Sequence, residues 1–416
     1  MATTQETIAK QLAETVAKHE EELWRVNQEI HSHPELAFEE THAHDTVCGM
    51  LEALGYNVTR HAHNLKTAFE VEAGSGGGVI AYNAEYDALP GIGHACGHNL
   101  IATSSIAAFL ATAEALKANN ISGRVRLLGT PGEEEGGGKV ALLDAGAYRG
   151  VDACLMGHPG PRLAPVDGVI HVPFLAVAGV TVTFNGVNAH AGNAPWLGKN
   201  ALDAAVGAYN NISMLRQQMS PEQRVHAVIS HGGDRANVIP HKTEMRILVR
   251  ASTNADLEAT RPRIASCCEG AATATGCTVD FKWDHHYKDL QCSGLIENTF
   301  EKNAGLQGRT WMAKAPTGSG ASTDQGKYRC STLVHLHGNV SYEVPSIHPI
   351  FLLDVEDPSI GPHHPKFAET AGTKPSFTIA LDFAKVMAAT GLDILQNSSF
   401  REELNSELAT AQKDRS

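Results

Sequence analysis

The sequence contains no run of roughly eighteen uncharged apolar residues, so no segment is expected to cross a bilayer as a helix. Its first residues also lack the basic, apolar and small-residue regions of a secretory signal. Cysteine is sparse, with 8 scattered residues and no CxxC spacing, which indicates neither a disulfide framework nor a zinc ribbon. We therefore predict a soluble, cytoplasmic protein.

Positive charge is also in deficit. The chain has 33 Lys and Arg against 46 Asp and Glu, a formal net charge of −13. Nucleic acid and anionic lipid would both repel such a chain, so we predict neither as a partner and expect a small-molecule substrate. With 416 residues the chain exceeds the size at which one core usually stops growing, which predicts two domains.

Hydrophobic periodicity predicts alternating helices and strands in the first part of the chain, with helices at 5–30, 41–55 and 99–117. This alternation is typical of an α/β sheet covered by helices on both faces. From about 176 to 287 the order changes to β-α-β-β-α-β. That order predicts an inserted ferredoxin-like domain.

The 22 histidines stand out, and several lie beside Gly, Cys, Glu or Pro where predicted strands end. Segments rich in such ligand-type residues occupy 84–90, 93–99, 130–135 and 156–160. Ligands of an open α/β sheet bind outside the carboxyl ends of its strands, so we expect these segments to converge. A single histidine beside a proline is an ordinary turn residue, whereas the four segments together predict a binding site.

The donor types in these segments favour a transition metal, because zinc accepts thiolate, imidazole and carboxylate whereas magnesium and calcium take oxygen. Cys96 and His98 are two residues apart, which suits a loop better than a helix face. Glu133 and Glu134 can divide the work of hydrolysis, one binding a metal and one moving a proton. An alternative uses Cys96 as a nucleophile, with His94 or His98 as its base.

Seven short motifs occur in order along nearly the whole chain. They are HSHPELAFEE from His31, EYDALP from Glu85, HACGHN from His94, TPGEEEGGGK from Thr130, NAHAG from Asn188, NVIP from Asn237 and NVSYEVPSIHP from Asn339. As a set they resemble the aminoacylase and carboxypeptidase G family of dinuclear metallopeptidases, peptidase family M20. The most similar branch contains β-alanyl-lysine-type dipeptidases, aminobenzoyl-glutamate hydrolases and auxin-conjugate hydrolases.

The resemblance implies an α/β fold with a mixed-sheet catalytic domain, formed by 1–175 and 288–416, and a ferredoxin-like lid and dimerisation domain inserted at 176–287. It implies a homodimer through the inserted domain. The implied activity is metal-dependent hydrolysis of an amide bond in a dipeptide or N-acyl amino acid. Two divalent metal ions are implied, with zinc as the first expectation and manganese or cobalt as alternatives.

The resemblance also implies which side chains hold the metals. The bridging ligand is implied to be Cys96, the other ligands of one metal His98 and His158, and those of the second metal Glu134 and His363. The adjacent His364 competes with His363 for the last position. A one-residue slip from Glu133 and Glu134 to Glu134 and Glu135 also remains open.

Catalytic and substrate-binding roles follow from the same resemblance. Glu133 is implied as the general base, and Asp87 as a carboxylate that orients the metal ligands. In the inserted domain the residues implied to bind substrate are His190, Asn237 and Arg250. Members of the family often supply the residue matching His190 across a dimer interface.

One stretch departs from the family pattern. After Ser322–Gly326 the family continues directly into the motif that begins here at Asn339, but twelve residues, 327–338, intervene. They include His335 and His337 and lie beside the predicted pocket. Two alternatives to a hydrolase therefore remain open, an amide-forming relative and a catalytically impaired binding protein with an altered pocket.

Overall fold

The described part of the chain divides into two units, each with a hydrophobic core of its own. A computed structural model describes residues 4–162, 164–315, 323, 327–328, 340–357 and 359–413. Unit 1 consists of the described residues of Met1–Val172, Gln291–Gly318 and His337–Ser416, and unit 2 of those of Pro173–Leu290 and Ser319–Leu336. Unit 2 thus interrupts unit 1 in the sequence.

Helices and strands alternate along much of the described chain. The helices are α1 (Thr4–Lys18), α2 (Glu20–Ser32), α3 (Thr41–Ala53), α4 (His98–Ala118), α5 (Gly138–Asp144), α6 (Ala201–Leu215), α7 (Asn254–Thr275), α8 (Gly294–Leu306), α9 (Val340–Glu343), α10 (Pro365–Ala371), α11 (Lys374–Gln396) and α12 (Ser398–Lys413). The strands are β1 (Val58–Arg60), β2 (Phe69–Ser75), β3 (Val79–Ala84), β4 (Gly123–Gly129), β5 (Ala153–Leu155), β6 (His158–Pro161), β7 (Gly168–His171), β8 (Ala176–Asn185), β9 (Arg224–His231), β10 (Lys242–Ala251), β11 (Thr278–Tyr287), β12 (Trp311–Lys314), β13 (Lys327–Tyr328), β14 (Ser346–Ile347) and β15 (Ile350–Leu353).

A six-stranded mixed sheet, in the order β1-β2-β4-β3-β5-β14, forms the centre of unit 1. The pairs β4 with β3, β3 with β5 and β5 with β14 are parallel, whereas β1 and β2 add antiparallel pairs. All residues of β3 are buried, as expected for a parallel strand covered on both faces. The parallel strands bring their carboxyl ends to one edge of the sheet, and a smaller sheet, β12-β7-β15-β6, belongs to the same unit.

Helix α4 packs in the core of unit 1, against α11 and β3. Its sequence is rich in alanine and its larger side chains, such as Ile106 and Phe109, are fully buried. Among the described residues α4 is the one helix long and apolar enough to span a membrane, and 94% of that window is buried inside the structure. A helix that is hydrophobic on all sides and buried in this way has the properties of a core helix.

Unit 2 contains β8, α6, β9, β10, α7 and β11 in chain order, which confirms the predicted β-α-β-β-α-β insertion. Its antiparallel sheet has the order β13-β11-β8-β10-β9. Along β8, buried Val180, Val182 and Phe184 alternate with half-buried polar residues, the pattern of a sheet with one covered face. The helices α6 and α7 pack against each other and contact this sheet.

Two details differ from the sequence-based expectation. The helix expected at 5–30 is two helices, because His19 leaves helical geometry (φ −102°, ψ 11°) and its ring bonds Glu114 on α4 at 2.9 Å. The chain expected to rejoin the catalytic domain from 288 onward also gives β13 to the sheet of unit 2. Of the insertion 327–338 only residues 327–328 are described, so His335 and His337 lie outside the described residues.

Candidate metal centre

The carboxyl ends of three neighbouring strands supply most of the side chains at the candidate centre. Asp87 follows β3, Glu133 and Glu134 follow β4, and His158 follows β5 as the first residue of β6. Because β4, β3 and β5 are parallel neighbours, these ends lie side by side. The convergence expected from the sequence is therefore present in the fold.

The loop between β3 and α4 adds Cys96 and His98. Between them Gly97 has a left-handed backbone (φ 79°), and a Cβ there would lie 2.5 Å from the Pro159 ring, so glycine is required. Cys96 Sγ lies 3.2 Å from His158 Nε2. The other nitrogen, His158 Nδ1, donates to its neighbour's carbonyl, Pro159 O, at 2.7 Å. That bond leaves Nε2 unprotonated and able to bind a metal beside the thiol.

His98 is fully buried and surrounded by carboxylates. Its Nδ1 donates to Asp87 Oδ1 at 3.0 Å, while its Nε2 lies 3.5 Å from Glu85, 3.8 Å from Glu134 and 3.9 Å from Glu133. The second oxygen of Asp87 accepts the main-chain N–H of Glu134 at 2.8 Å. Asp87 therefore orients one ligand imidazole and the loop that carries two carboxylates, which is the arrangement of an outer carboxylate in a metal site.

The late histidine lies just before α10. The main-chain N–H of His363 donates to Ala95 O at 2.9 Å, and its Nε2 lies 3.4 Å from Glu134 Oε1. The competitor His364 has a different contact, because its Nδ1 accepts the N–H of Lys366 and caps α10. Likewise Glu135 is exposed, whereas Glu133 is buried and Glu134 has only 11% of its side chain exposed.

Two groups of donors share one sulfur. One group consists of Cys96, His98 and His158, and the other consists of Cys96, Glu134 and His363. The ligand atoms of each group lie within 4.8 Å of one another. Two buried atoms that face these groups, His98 Nε2 and Glu134 Oε1, have no hydrogen-bond partner in the described chain. Buried polar atoms without partners are costly, so their presence here fits a pair of cations bridged by Cys96.

Burial controls the protonation of these donors. It raises the pKa of the Cys96 thiol, and the nearby Glu134 carboxylate raises it further. Burial and the neighbouring His98 lower the pKa of His158 to about 4, so this imidazole is neutral at pH 7. A metal must therefore displace a proton from the sulfur but not from His158. A buried thiol with a raised pKa is a poor nucleophile, which argues against the alternative of a cysteine hydrolase.

Two supporting residues, Glu40 and Lys139, were not assigned from the sequence, although the motifs that contain them were recognised. Glu40 is fully buried and accepts the hydroxyl of Thr67 at 2.6 Å and the N–H of Gly132 at 2.8 Å, directly before Glu133 and Glu134. Fully buried Lys139 donates to Glu85, which lies beside His98. The sequence signal that could have indicated such a contact was Lys139, a lysine in a glycine-rich run next to strands that are expected to be buried.

Comparisons with known proteins identify the family of the chain. Residues 176–275 match the peptidase dimerisation domain of family M20. The chain is 36% identical to the Xaa-Arg dipeptidase of Mus musculus, over 97% of this chain and 92% of that relative. The chain belongs to peptidase family M20. Another relative, a subunit of the p-aminobenzoyl-glutamate hydrolase of Escherichia coli, is 34% identical over 68% of this M20 peptidase and 60% of its own length.

Solved structures have the same fold. A dinuclear metal-binding M20 peptidase from Bacillus subtilis matches with a TM-score of 0.67 at 24% identity, over 90% of this chain and 98% of that chain. An aminobenzoyl-glutamate utilization protein from Klebsiella pneumoniae matches with a TM-score of 0.69 at 18% identity, over 93% and 99%. The M20 peptidase described here is accordingly a peptidase or amidohydrolase that acts on C–N bonds.

The three residues implied to bind substrate all belong to unit 2 of this M20 peptidase. Exposed His190 lies beside Asn237, since His190 bridges to Val238 and Asn237 O accepts the N–H of Ala191 at 3.0 Å. The N–H groups of Gly192 and Asn193 both donate to His190 Nδ1, at 3.2 and 3.1 Å. In the neutral ring Nε2 then carries the proton and can donate to a substrate oxygen. Arg250 is half-buried on β10, opposite Arg224.

Replacing Asp87 with Asn is expected to weaken metal binding by about 10- to 100-fold, because the amide lacks the charge that favours the His98 contact. Titration with zinc, followed by metal analysis, measures this loss. The matched control is Asp152→Asn. Asp152 accepts the N–H of Val79 at the opposite end of β3, so its loss should leave metal affinity unchanged. Equal affinities for Asp87→Asn and wild type would contradict the assigned role of Asp87.

Glu40 predicts a specific pH dependence of stability. Burial raises its pKa from 4.5 to about 7, although the Thr67 hydroxyl opposes the shift. The folded state then binds this proton more tightly than the unfolded state, so stability falls as pH rises from about 4.5 to about 7. Relative to Glu40→Gln, the wild-type free energy of unfolding should decline by about 3 kcal/mol across this window.

Denaturant unfolding of wild type and Glu40→Gln at several pH values measures this difference. The contributions of other titrating groups cancel, because both proteins contain them. Glu39→Gln is the control, because Glu39 is exposed and pairs with Lys66 at the surface. That variant should follow the wild-type curve. Parallel curves for wild type and Glu40→Gln would mean that the carboxyl of Glu40 does not titrate in this range.

Proposed function

We propose that this M20 peptidase is a zinc-dependent dipeptidase that prefers a basic C-terminal residue. The observation that carries the proposal is the pair of donor groups sharing Cys96, with the Glu133 carboxylate beside them. Substrate preference is inferred from the similarity to Xaa-Arg dipeptidases of mouse and human, each 36% identical over at least 94% of this chain. The net charge of −13 favours a cationic substrate over an anionic one.

Hydrolysis needs an activated water, a polarised carbonyl and a proton for the leaving amine. When bound, a pair of divalent metals lowers the pKa of water and polarises the carbonyl oxygen. Glu133 takes the proton from the attacking water and delivers it to the amine nitrogen as the C–N bond breaks. Its position directly before Glu134 fits this role, since one main-chain loop then carries a metal ligand and a proton carrier.

Unit 2 supplies the proposed substrate contacts. His190, with Nε2 as the donor, hydrogen-bonds the carbonyl oxygen of the scissile bond as negative charge develops there. Asn237 lies beside it and offers an amide to the same group. Arg250 pairs with the carboxylate at the C-terminus of the substrate, which a dipeptide or an N-acyl amino acid provides.

Zinc is the proposed metal because the centre combines a sulfur, three imidazoles and a carboxylate, a donor set that zinc accepts and magnesium or calcium does not. Elemental analysis of the protein purified without added metal tests this choice, with manganese and cobalt as the competing results. The proposed location is the cytoplasm, where free thiols such as Cys48, Cys267 and Cys268 persist. Recovery of the protein in a secreted fraction would contradict that location.

The proposed assembly is a homodimer through unit 2. Support comes from the match to a dimerisation domain and from apolar side chains exposed on this unit. On α6 these are Val206, Tyr209 and Met214, and on the edge strand β9 the exposed apolar residue is Val228. An exposed edge strand with apolar residues is a surface that pairs readily with a second chain.

Glu133→Gln is expected to lower kcat by about a hundredfold to ten-thousandfold, since the amide cannot accept the proton of water. The variant should still bind metal. Hydrolysis of a dipeptide with C-terminal arginine measures turnover, and aminobenzoyl-glutamate serves as the acidic comparison substrate. A preference for the acidic substrate would contradict the proposed specificity.

The neighbouring carboxylate provides the control for this variant. Glu135→Gln changes the same functional group one residue further along, but Glu135 is exposed and should be dispensable. If Glu135→Gln loses turnover while Glu133→Gln keeps it, the register of the two catalytic carboxylates is wrong. Turnover without metal in either protein would contradict the metal-dependent mechanism.

Mixing two inactive variants tests whether His190 acts across the dimer. The variants His190→Ala and Glu133→Gln are each expected to be inactive alone. After dissociation and reassociation, a mixed dimer joins an intact Glu133 with an intact His190 from the other chain, so part of the wild-type activity should return. No recovery from mixed dimers of verified composition would show that His190 serves its own chain.

A further inference from the structure

A second set of metal-type donors lies in unit 1, outside the dinuclear centre. It consists of His171, Cys292 and Glu297, whose ligand atoms are all within 4.8 Å of one another. His171 Nδ1 and Glu297 Oε1 are 2.7 Å apart, and only 27% and 17% of the two side chains are exposed. Cys292 is half-buried. None of these residues belongs to the seven motifs of the family.

Local structure explains why these three side chains meet. Ser293 is the N-cap of α8, so Cys292 is the residue before the cap and Glu297 is the fourth residue of the helix. These two positions commonly carry an apolar pair that packs together across the start of a helix. Here the pair is a thiol and a carboxylate instead. His171, the last residue of β7, reaches the same place from the small sheet.

The main chain around Cys292 is fixed on both sides. The N–H of Gln291 donates to Ser341 Oγ at 3.2 Å, and the N–H of Ser293 donates to Ser346 O at 2.8 Å. The main-chain N–H of His348 lies close enough to the sulfur to lower the pKa of the Cys292 thiol, and the His348 ring lies 6.0 Å from that of His158. Main-chain donors to a ligand sulfur are an outer contact that supports a metal thiolate.

The donor chemistry fits a cation better than a nucleophilic triad. A Cys-His-Glu triad places the imidazole between the thiol and the carboxylate, so that the thiol gives its proton to the ring. Here the Cys292 sulfur lies within 4.8 Å of the Glu297 carboxylate as well as of the imidazole, so the ring does not separate the thiol from the carboxylate. A cation among the three groups would offset both negative charges at once.

We propose that His171, Cys292 and Glu297 form a third metal site, which takes one zinc-class divalent ion with water as the fourth ligand. Sulfur, nitrogen and oxygen atoms bound to a tetrahedral zinc ion lie about 3.3 to 3.8 Å from one another. In this protein the His171 nitrogen and the Glu297 oxygen are 2.7 Å apart, and no two of the three ligand atoms are more than 4.8 Å apart. The three side chains therefore need small rotations only.

The position of the site suggests what the ion does. Unit 1 ends its first segment at Val172, one residue after His171, and resumes at Gln291, one residue before Cys292. The ion would join the two segments through which the chain leaves and re-enters unit 1. It would also fix the main chain of His348 through the sulfur of Cys292. The site is thus structural, and its occupancy is expected to raise thermal stability.

Metal counting on the full-length protein tests the proposal. Wild type, Cys292→Ser and His171→Gln are saturated with zinc, desalted and analysed for bound metal. Each variant should hold one equivalent less than wild type. Cobalt loading should give a thiolate charge-transfer absorption that is weaker in Cys292→Ser, and micromolar zinc should raise the Tm of wild type more than that of either variant.

Two controls keep the result specific. Cys267→Ser removes a half-buried thiol of unit 2 and should keep the wild-type metal content. His42→Ala disrupts an exposed group of Glu29, His33 and His42, the other place in the described chain where an extra ion could bind. The proposal is overturned if Cys292→Ser holds as much metal as wild type, or if the extra equivalent disappears with His42→Ala instead. The criterion is a difference of one equivalent, so it holds whatever the dinuclear centre contains.

Discussion

The buried carboxylate of Asp87 is the contact on which the metal centre depends. One oxygen accepts from His98 at the start of α4, and the other accepts the N–H of Glu134 in the loop after β4. Burial alone would raise the pKa of this group, but the attraction of His98 and the main-chain donors of Glu134 and Glu133 hold it below the usual value. Asp87 therefore stays charged. It fixes the separation between the His98 imidazole and the loop of Glu134, which no shared helix or strand would set.

The remaining charges explain why Lys139 is buried so close to a site for cations. Four negative charges would be present when Cys96, Asp87, Glu133 and Glu134 are all ionised. Two divalent metals can balance these charges. Glu85 would add a fifth, since it lies 3.5 Å from His98. Its pairing with fully buried Lys139 removes that excess. A buried ion pair adds little to stability, but losing one partner is costly, so the pair is better explained by the charge of the neighbouring centre.

Much of this centre could be predicted because it rests on short-range rules. The strands β3, β4 and β5 had to bring the residues that follow them, Asp87, Glu133 and His158, to one edge once they were parallel neighbours. Contacts between distant residues carry no such signal, and Lys139 meets Glu85 across 54 positions of sequence. Strand β13 was not expected in unit 2 either, because the partner of a two-residue strand is decided by tertiary packing.

The motif that begins at His31 gains a physical role from its contacts with the loop that carries Glu133 and Glu134. Phe38 has a left-handed backbone (φ 63°). Its ring packs against two glycines, because a Cβ on Gly132 would lie 2.8 Å from the ring and a Cβ on Gly136 would lie 2.4 Å from it. Glu40 binds the N–H of Gly132 from 92 positions away. A glycine-rich loop has little stiffness of its own, yet Glu133, as the proposed general base, must be held within about 0.5 Å of its productive position. The stiffness comes from Phe38 and Glu40, and the glycines leave the space that these two side chains require.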